Sequence, residues 1–132
     1  QHEVLEHPGH VSCRNKVAAL LNGGDQLALC PQVIAEFLHV ITDERRFTRP
    51  LPMPEALARG KAWWDAPEVL RILPGEESVA LFKEWMNRYR LGRKRILDTM
   101  LAATYRSAGI RSLLTSDARD FRVFDSFSLI QV

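Results

Sequence analysis

Cysteine is scarce in this chain of 132 residues: Cys13 and Cys30 are its only two. Two do not make a disulfide framework at this size, and neither sits in a redox motif. A reducing, cytoplasmic compartment is therefore the simpler expectation. Long apolar runs are lacking as well. None approaches the roughly 20 residues of a membrane-spanning helix, so no membrane partner is expected. The first residues carry no signal-peptide pattern. Charge of one sign is also missing, with 18 Lys and Arg against 16 Asp and Glu and a formal charge of +2. Global basicity thus gives no argument for nucleic acid. His2, His7 and His10 lie close together, but their spacing matches no zinc pattern. A polar lead into a helix explains them better, with Pro8 suited to the first turn. The chain begins with Gln1 instead of Met, so an upstream segment is expected to have been removed, cleaved or not included.

What is present is an ordinary globular composition, 46% hydrophobic and 26% charged. The length suits one domain over 1–132 with a sizeable core. The spacing predicts a helix over about 11–21, with Val17, Leu20 and Leu21 on one side and Asn22-Gly23-Gly24 as its stop. Leu27-Ala28-Leu29-Cys30 reads as a short buried strand. Pro31 then starts a helix to about 42 with a core stripe of Val33, Phe37, Val40 and Ile41. The segment 43–54 reads as a loop ended by Pro50, Pro52 and Pro54. A short helix over about 55–64 carries Leu57, Trp63 and Trp64. The tryptophans could stack bases, but packing is the commoner fate of such residues. A strand at 69–73 follows, then a helix over about 76–90 with the stripe Val79, Phe82, Trp85, Met86 and Tyr89. Gly92 breaks that helix. Another runs over about 96–108 to a tight turn at Gly109, and strands follow at 112–115 and about 127–132.

The alternation of helix and strand predicts an open α/β sheet, whose ligands bind at the carboxyl ends of the strands. Asp98 opens a helix, Asp117 and Asp120 follow a strand, and Glu36 lies in the second turn of a helix that starts where a strand ends. All are thereby expected at one sheet edge. Clustered carboxylates there point to a hard divalent cation of the Mg2+ or Mn2+ type. Each acid has a plainer explanation. Glu36 borders an apolar stripe and can reach solvent from its rim. Asp98 can serve the helix dipole, and Asp117 and Asp120 are common turn-formers. Their coincidence at one edge favours the metal reading. Arginine is dense at Arg45, Arg46 and Arg49 and again from Arg88 to Arg95. On charge alone a solvated face explains both runs, although Arg93-Lys94-Arg95 before an acidic site could hold a phosphate backbone.

The segments CPQVIAEFLHVITDERRF, ILDTMLAA and LLTSDARDF, in that order, resemble the PIN domain, and most nearly the VapC-type toxins of bacterial toxin–antitoxin pairs. The resemblance covers the chain from about His7 onward. It implies a single domain of three-layer α/β/α type around a central parallel sheet. It also implies a Mg2+- or Mn2+-dependent endoribonuclease acting through a metal-activated water. Carried over by motif, the second acid is Glu36, the third Asp98 and the fourth Asp117. Asp120 matches a further acid, and Thr115 a hydroxyl beside the site. RNA substrate, a homodimer and an inhibiting antitoxin are implied with it, and Arg45, Arg46, Arg93 and Arg95 are candidate RNA contacts. One departure is large. The family's first strand, which ends in Asp-x-Asn or Asp-x-Ser and lies centrally, has no counterpart before His7. Its slot would leave backbone groups unpaired, so an upstream segment or another chain or segment is expected to fill it. The other readings are a catalytically silent PIN-like module that binds RNA or protein, and a structural domain whose acids are caps and turns.

Overall fold

A computed structural model describes residues 17–20, 27–115 and 118–131. In chain order its elements are β1 (Val17–Leu20), β2 (Leu27–Leu29), α1 (Pro31–Ile41), α2 (Met53–Asp65), β3 (Val69–Arg71) and α3 (Glu76–Arg88). A 3₁₀ turn (Arg93–Arg95) leads into α4 (Ile96–Ser107), followed by β4 (Ser112–Thr115), a second 3₁₀ segment (Ala118–Phe124) and β5 (Ser128–Gln131). The expected α/β fold is present. From residue 27 onward every expected helix and strand is found within a few residues of its expected bounds.

The sheet order is β3-β2-β1-β4-β5. β2 and β3 are parallel, as are β4 and β5, while β1 is antiparallel to both its neighbours. Two expectations are corrected here. Residues 17–20 form a strand where a helix was expected, and the rest of that helix, 11–16, lies outside the described residues. The sheet is also mixed instead of wholly parallel. The physical reason is the same for both. Between β2 and β4 a backbone must pair, and Val17 to Leu20 does so, with Ala19 opposite Ala28 and Val17 opposite Thr115. A four-residue apolar run has no decisive periodicity, so sheet pairing overrides the weak helical pattern. The expected vacancy at the sheet centre is therefore filled from within this chain, by a strand running the opposite way.

The larger core gathers Ala28 of β2 and Cys30 just after it, Trp85 of α3, Leu101 to Ala103 and Tyr105 of α4, Leu113 of β4, and Phe121 and Phe124 of the second 3₁₀ segment. Trp85 stacks on Phe124 at 4.6 Å and meets Phe127 edge-on at 6.4 Å. Each such pair adds about 0.5–1.5 kcal/mol beyond its buried area. Ala102 and Ala103 are fully buried, so α4 packs closely where larger side chains would hold it off. A second cluster joins Phe37 and Ile41 of α1 to Ala56 of α2, with Trp63 against it. Gly60 lets these two helices meet, since a Cβ there would lie 3.1 Å from Leu38 Cδ2.

The expected stripe of α3 holds at Phe82, Trp85, Met86 and Tyr89 and departs at its first position. Val79 is 47% exposed and Ser78 is buried in its place. Ser78 Oγ accepts from the Gly75 N–H at 2.6 Å and lies 2.7 Å from the Gly75 carbonyl, to which it donates. That local bonding holds Ser78 inward at the start of the helix. Trp64 is taken by Arg71, whose Nε donates to the Trp64 carbonyl at 2.8 Å and whose guanidinium lies over the indole ring at 6.0 Å. Both tryptophans are half-buried, Trp63 against the α1–α2 cluster and Trp64 beneath Arg71. Among the described residues no helix is long and apolar enough to cross a membrane.

Candidate active site

The carboxyl ends of β2 and β4 define the edge at which the expected residues collect. β2 ends at Leu29, and Cys30 and Pro31 turn the chain directly into α1. Proline suits this first helical position because its missing N–H would have had no helical partner. Glu36 follows one turn later and is half-buried. Its charge is felt inside the core: it helps to push up both the Cys30 thiol and the Tyr105 phenol, behind the larger effect of burial. Glu36 therefore borders the sheet edge, as its place next to the apolar stripe predicts.

Asp98 reaches the same edge from the other side. The 3₁₀ turn Arg93–Arg95 feeds α4, and Asp98 is the acid of its first turn, half-buried. The residue that caps this helix, Arg95, makes no side-chain cap. Thr99 Oγ1 instead donates to the Arg95 carbonyl at 2.6 Å and is itself fully buried. Gln32 of α1 donates from Nε2 to the Leu97 carbonyl at 3.0 Å, which ties the first turns of α1 and α4 together. Glu36 and Asp98 each follow one of these joined turns. Gln32 carried no signal of its own in the sequence, although it shares a helical face with Glu36 at a spacing of four.

Thr115, the last residue of β4, is fully buried. Asp120 is half-buried in the second 3₁₀ segment, and its backbone carbonyl accepts a hydrogen bond from the Arg95 guanidinium. Arg95 thus fastens the segment after β4 to the start of α4, which draws Asp120 towards the edge that Asp98 occupies. Asp117 lies outside the described residues. Among the described residues, no three His, Cys, Asp or Glu side chains are grouped to hold a metal ion. Glu36 and Asp98 supply two hard oxygen donors of the expected set, the donor type that Mg2+ and Mn2+ take.

The arginines separate into distinct situations. Arg93 is exposed in the turn before α4, whereas Arg95 is engaged with Asp120. Arg45 and Arg46 share the Asp43 carboxylate, with Nε–Oδ distances of 3.3 Å each. The backbone N–H of Arg45 donates to Asp43 Oδ1 at 2.9 Å and is the largest influence lowering the Asp43 pKa, so the carboxylate stays charged. Arg46 also lines an open groove of about 370 Å³ that contains Glu36, His39 and Leu97. Below the edge, Tyr105 donates from its hydroxyl to the Ala28 carbonyl at 3.2 Å and touches Cys30, binding α4 to β2 through the core.

The PIN domain family model matches residues 3–126. The chain is 31% identical over 94 residues to a VapC ribonuclease of Mycobacterium bovis and to ribonuclease VapC43 of Mycobacterium tuberculosis. In each case the match takes in 71% of this chain and 64% of the relative's length. A family match over nearly the whole chain agrees with the α/β sheet and with the order of its motifs: this protein belongs to the PIN domain family.

Proposed function

We propose that this protein is a Mg2+- or Mn2+-dependent endoribonuclease, the toxin of a toxin–antitoxin pair. The observation that carries the reading is the hydrogen bond from Gln32 to the Leu97 carbonyl, which joins the starts of α1 and α4 next to Glu36 and Asp98, in a sheet of the PIN family. Glu36, Asp98 and Asp117 would hold the ion, with Asp120 auxiliary and Thr115 beside them. A bound divalent ion supplies an activated water and neutralises charge on the phosphate. The chain's own part is positional. Gln32 keeps two of the carboxylates in one place, and Arg95 holds the segment that carries Asp120. Clustered carboxylates repel one another and a polyanionic substrate, so their cation is also what makes RNA approach favourable. Arg45, Arg46 and Arg93 assist that approach from outside the acid cluster. The ribonuclease names of the relatives support RNA as substrate, and an antitoxin partner goes with the toxin reading. A homodimer, a cytoplasmic setting and one functional unit over 1–132 belong to the same reading.

A second reading, the catalytically silent module, has one specific observation in its favour. β1 fills the sheet centre with Val17-Ala18-Ala19-Leu20 and brings no carboxylate to the edge. Calorimetric titration with Mn2+ separates the two. The nuclease reading predicts one bound ion per chain, lost in both Glu36→Gln and Asp98→Asn. Binding that is absent, or indifferent to both changes, favours the silent module.

A further inference from the structure

The groove that Glu36 lines is shared with Gln32, His39 and Val40 of α1, Arg46 of the following loop and Leu97 of α4. Its volume of about 370 Å³ falls within the range of small-molecule sites. Leu97 is 70% exposed, an apolar side chain in a groove that Glu36 and Arg46 also line. Its backbone is fixed by the bond from Gln32, so the exposed leucine is held where it is. Arg46 is aimed by Asp43 at 3.3 Å and retains 38% side-chain exposure, against 83% for Arg45. Arg45 and Arg46 balance Asp43 and Glu44, and of these four only Arg46 brings its charge to the groove.

We propose that this groove is a subsite for the nucleotide next to the scissile phosphate of a single RNA strand, with Arg46 on its phosphate and Leu97 against its base. The inference rests on the ribonuclease reading of the Glu36–Asp98 edge. An aimed guanidinium suits a phosphate oxygen. An exposed leucine gains by covering the face of a base, and only an unpaired base can turn to meet it. Purines offer Leu97 a larger face than pyrimidines do, which makes the subsite discriminating. Asp43 acts through Arg46 as a positioning residue.

The test uses fluorescently labelled RNA hexamers in EDTA, where metal-dependent cleavage is stopped, in four versions that differ at one central base. Anisotropy gives affinity for the wild type, Leu97→Ala, Arg46→Ala and Asp43→Asn, with circular dichroism as the check on folding. Leu97→Ala is expected to reduce the spread of affinity among the four hexamers by roughly tenfold, the scale of a lost base contact. Arg46→Ala is expected to weaken all four alike and to lower the salt slope by about 0.7, one phosphate contact on a single strand. Asp43→Asn keeps that slope but weakens binding. A folded Leu97→Ala that discriminates as well as wild type, or an unchanged slope in Arg46→Ala, overturns the subsite. So does a wild-type chain that binds none of the hexamers. A parallel assay with cleavable RNA and Mn2+ judges the nuclease reading separately: the expected variant effects without cleavage uphold the subsite and reject the enzyme.

Discussion

The Gln32 side-chain amide donates to the Leu97 carbonyl across 3.0 Å, joining two helix starts that are 65 residues apart in the chain. Glu36 stands one turn beyond the first of these residues, and Asp98 directly follows the second. The bond is exposed, so its share of global stability is small, about 0.5–1.5 kcal/mol at most. Its effect on the separation of two carboxylates is larger than its energy. Gln32→Ala is therefore expected to melt within a few degrees of wild type while losing roughly tenfold or more in RNA cleavage, because ångström-scale misplacement of reacting groups is costly. Cleavage rates measured beside melting curves check this. Equal activity in a folded variant would show that packing alone holds the two acids.

Arg95 stands among the arginines proposed for RNA, yet its guanidinium bonds the Asp120 carbonyl. Arg95→Ala is expected to lower stability by about 1–3 kcal/mol, since a charged donor leaves a part-buried carbonyl unmet. The salt slope of RNA binding should be unchanged. Urea melts and binding at several salt concentrations separate the two effects. A lower slope with unchanged stability would return Arg95 to the RNA-binding set.

Burial holds the Tyr105 phenol well above its ordinary value, with Cys30 adding to the rise. A phenol raised in the folded state adds stability that is whole below its unfolded value of about 10 and is lost as the pH rises through the folded value. Tyr105→Phe removes this alkaline loss. It also removes the bond to the Ala28 carbonyl, for about 1 kcal/mol at pH 7. The Cys30 thiol, likewise raised by burial, keeps its own alkaline contribution in the variant. Urea melts at pH 7, 9 and 10.5 should show wild type falling more steeply above pH 10 than Tyr105→Phe. Parallel curves would contradict the assignment.

Gly109 ends α4 at φ +84°, with its N–H on the Arg106 carbonyl at 3.0 Å and the Ile110 N–H on the Tyr105 carbonyl at 3.1 Å. This is a Schellman ending, which favours glycine at that position. A Cβ at Gly109 would meet nothing within 4 Å, so only backbone strain opposes a substitution. Gly109→Ala is expected to cost about 1 kcal/mol. Gly109→Asn should cost less, because asparagine adopts this conformation more readily. Chemical denaturation of the three chains gives the order. Equal stability of the alanine and asparagine variants would contradict it.

These positions also show what a sequence reveals. The Gly109 turn, the helix begun by Pro31 and the four strands other than β1 were legible because glycine, proline and apolar runs mark them locally. β1 was not, since Val17-Ala18-Ala19-Leu20 becomes a strand only through partners at Ala28 and Thr115, far away in sequence. The burial of Ser78 in place of Val79 turns on one local pairing, Ser78 with Gly75, that periodicity does not register. At the acid edge, Glu36 and Asp98 were legible from their place at helix starts. Gln32, which joins those starts, was not, because an amide-to-carbonyl contact leaves no pattern.

The central claim is that carboxylates at this edge cut RNA through a divalent ion. Its most direct test is RNA cleavage with and without Mn2+, by this chain and by its Asp98→Asn variant, with circular dichroism on both. The account predicts cleavage that requires the ion and is lost in a folded Asp98→Asn. Metal-independent cleavage, or cleavage that survives the substitution, would contradict it.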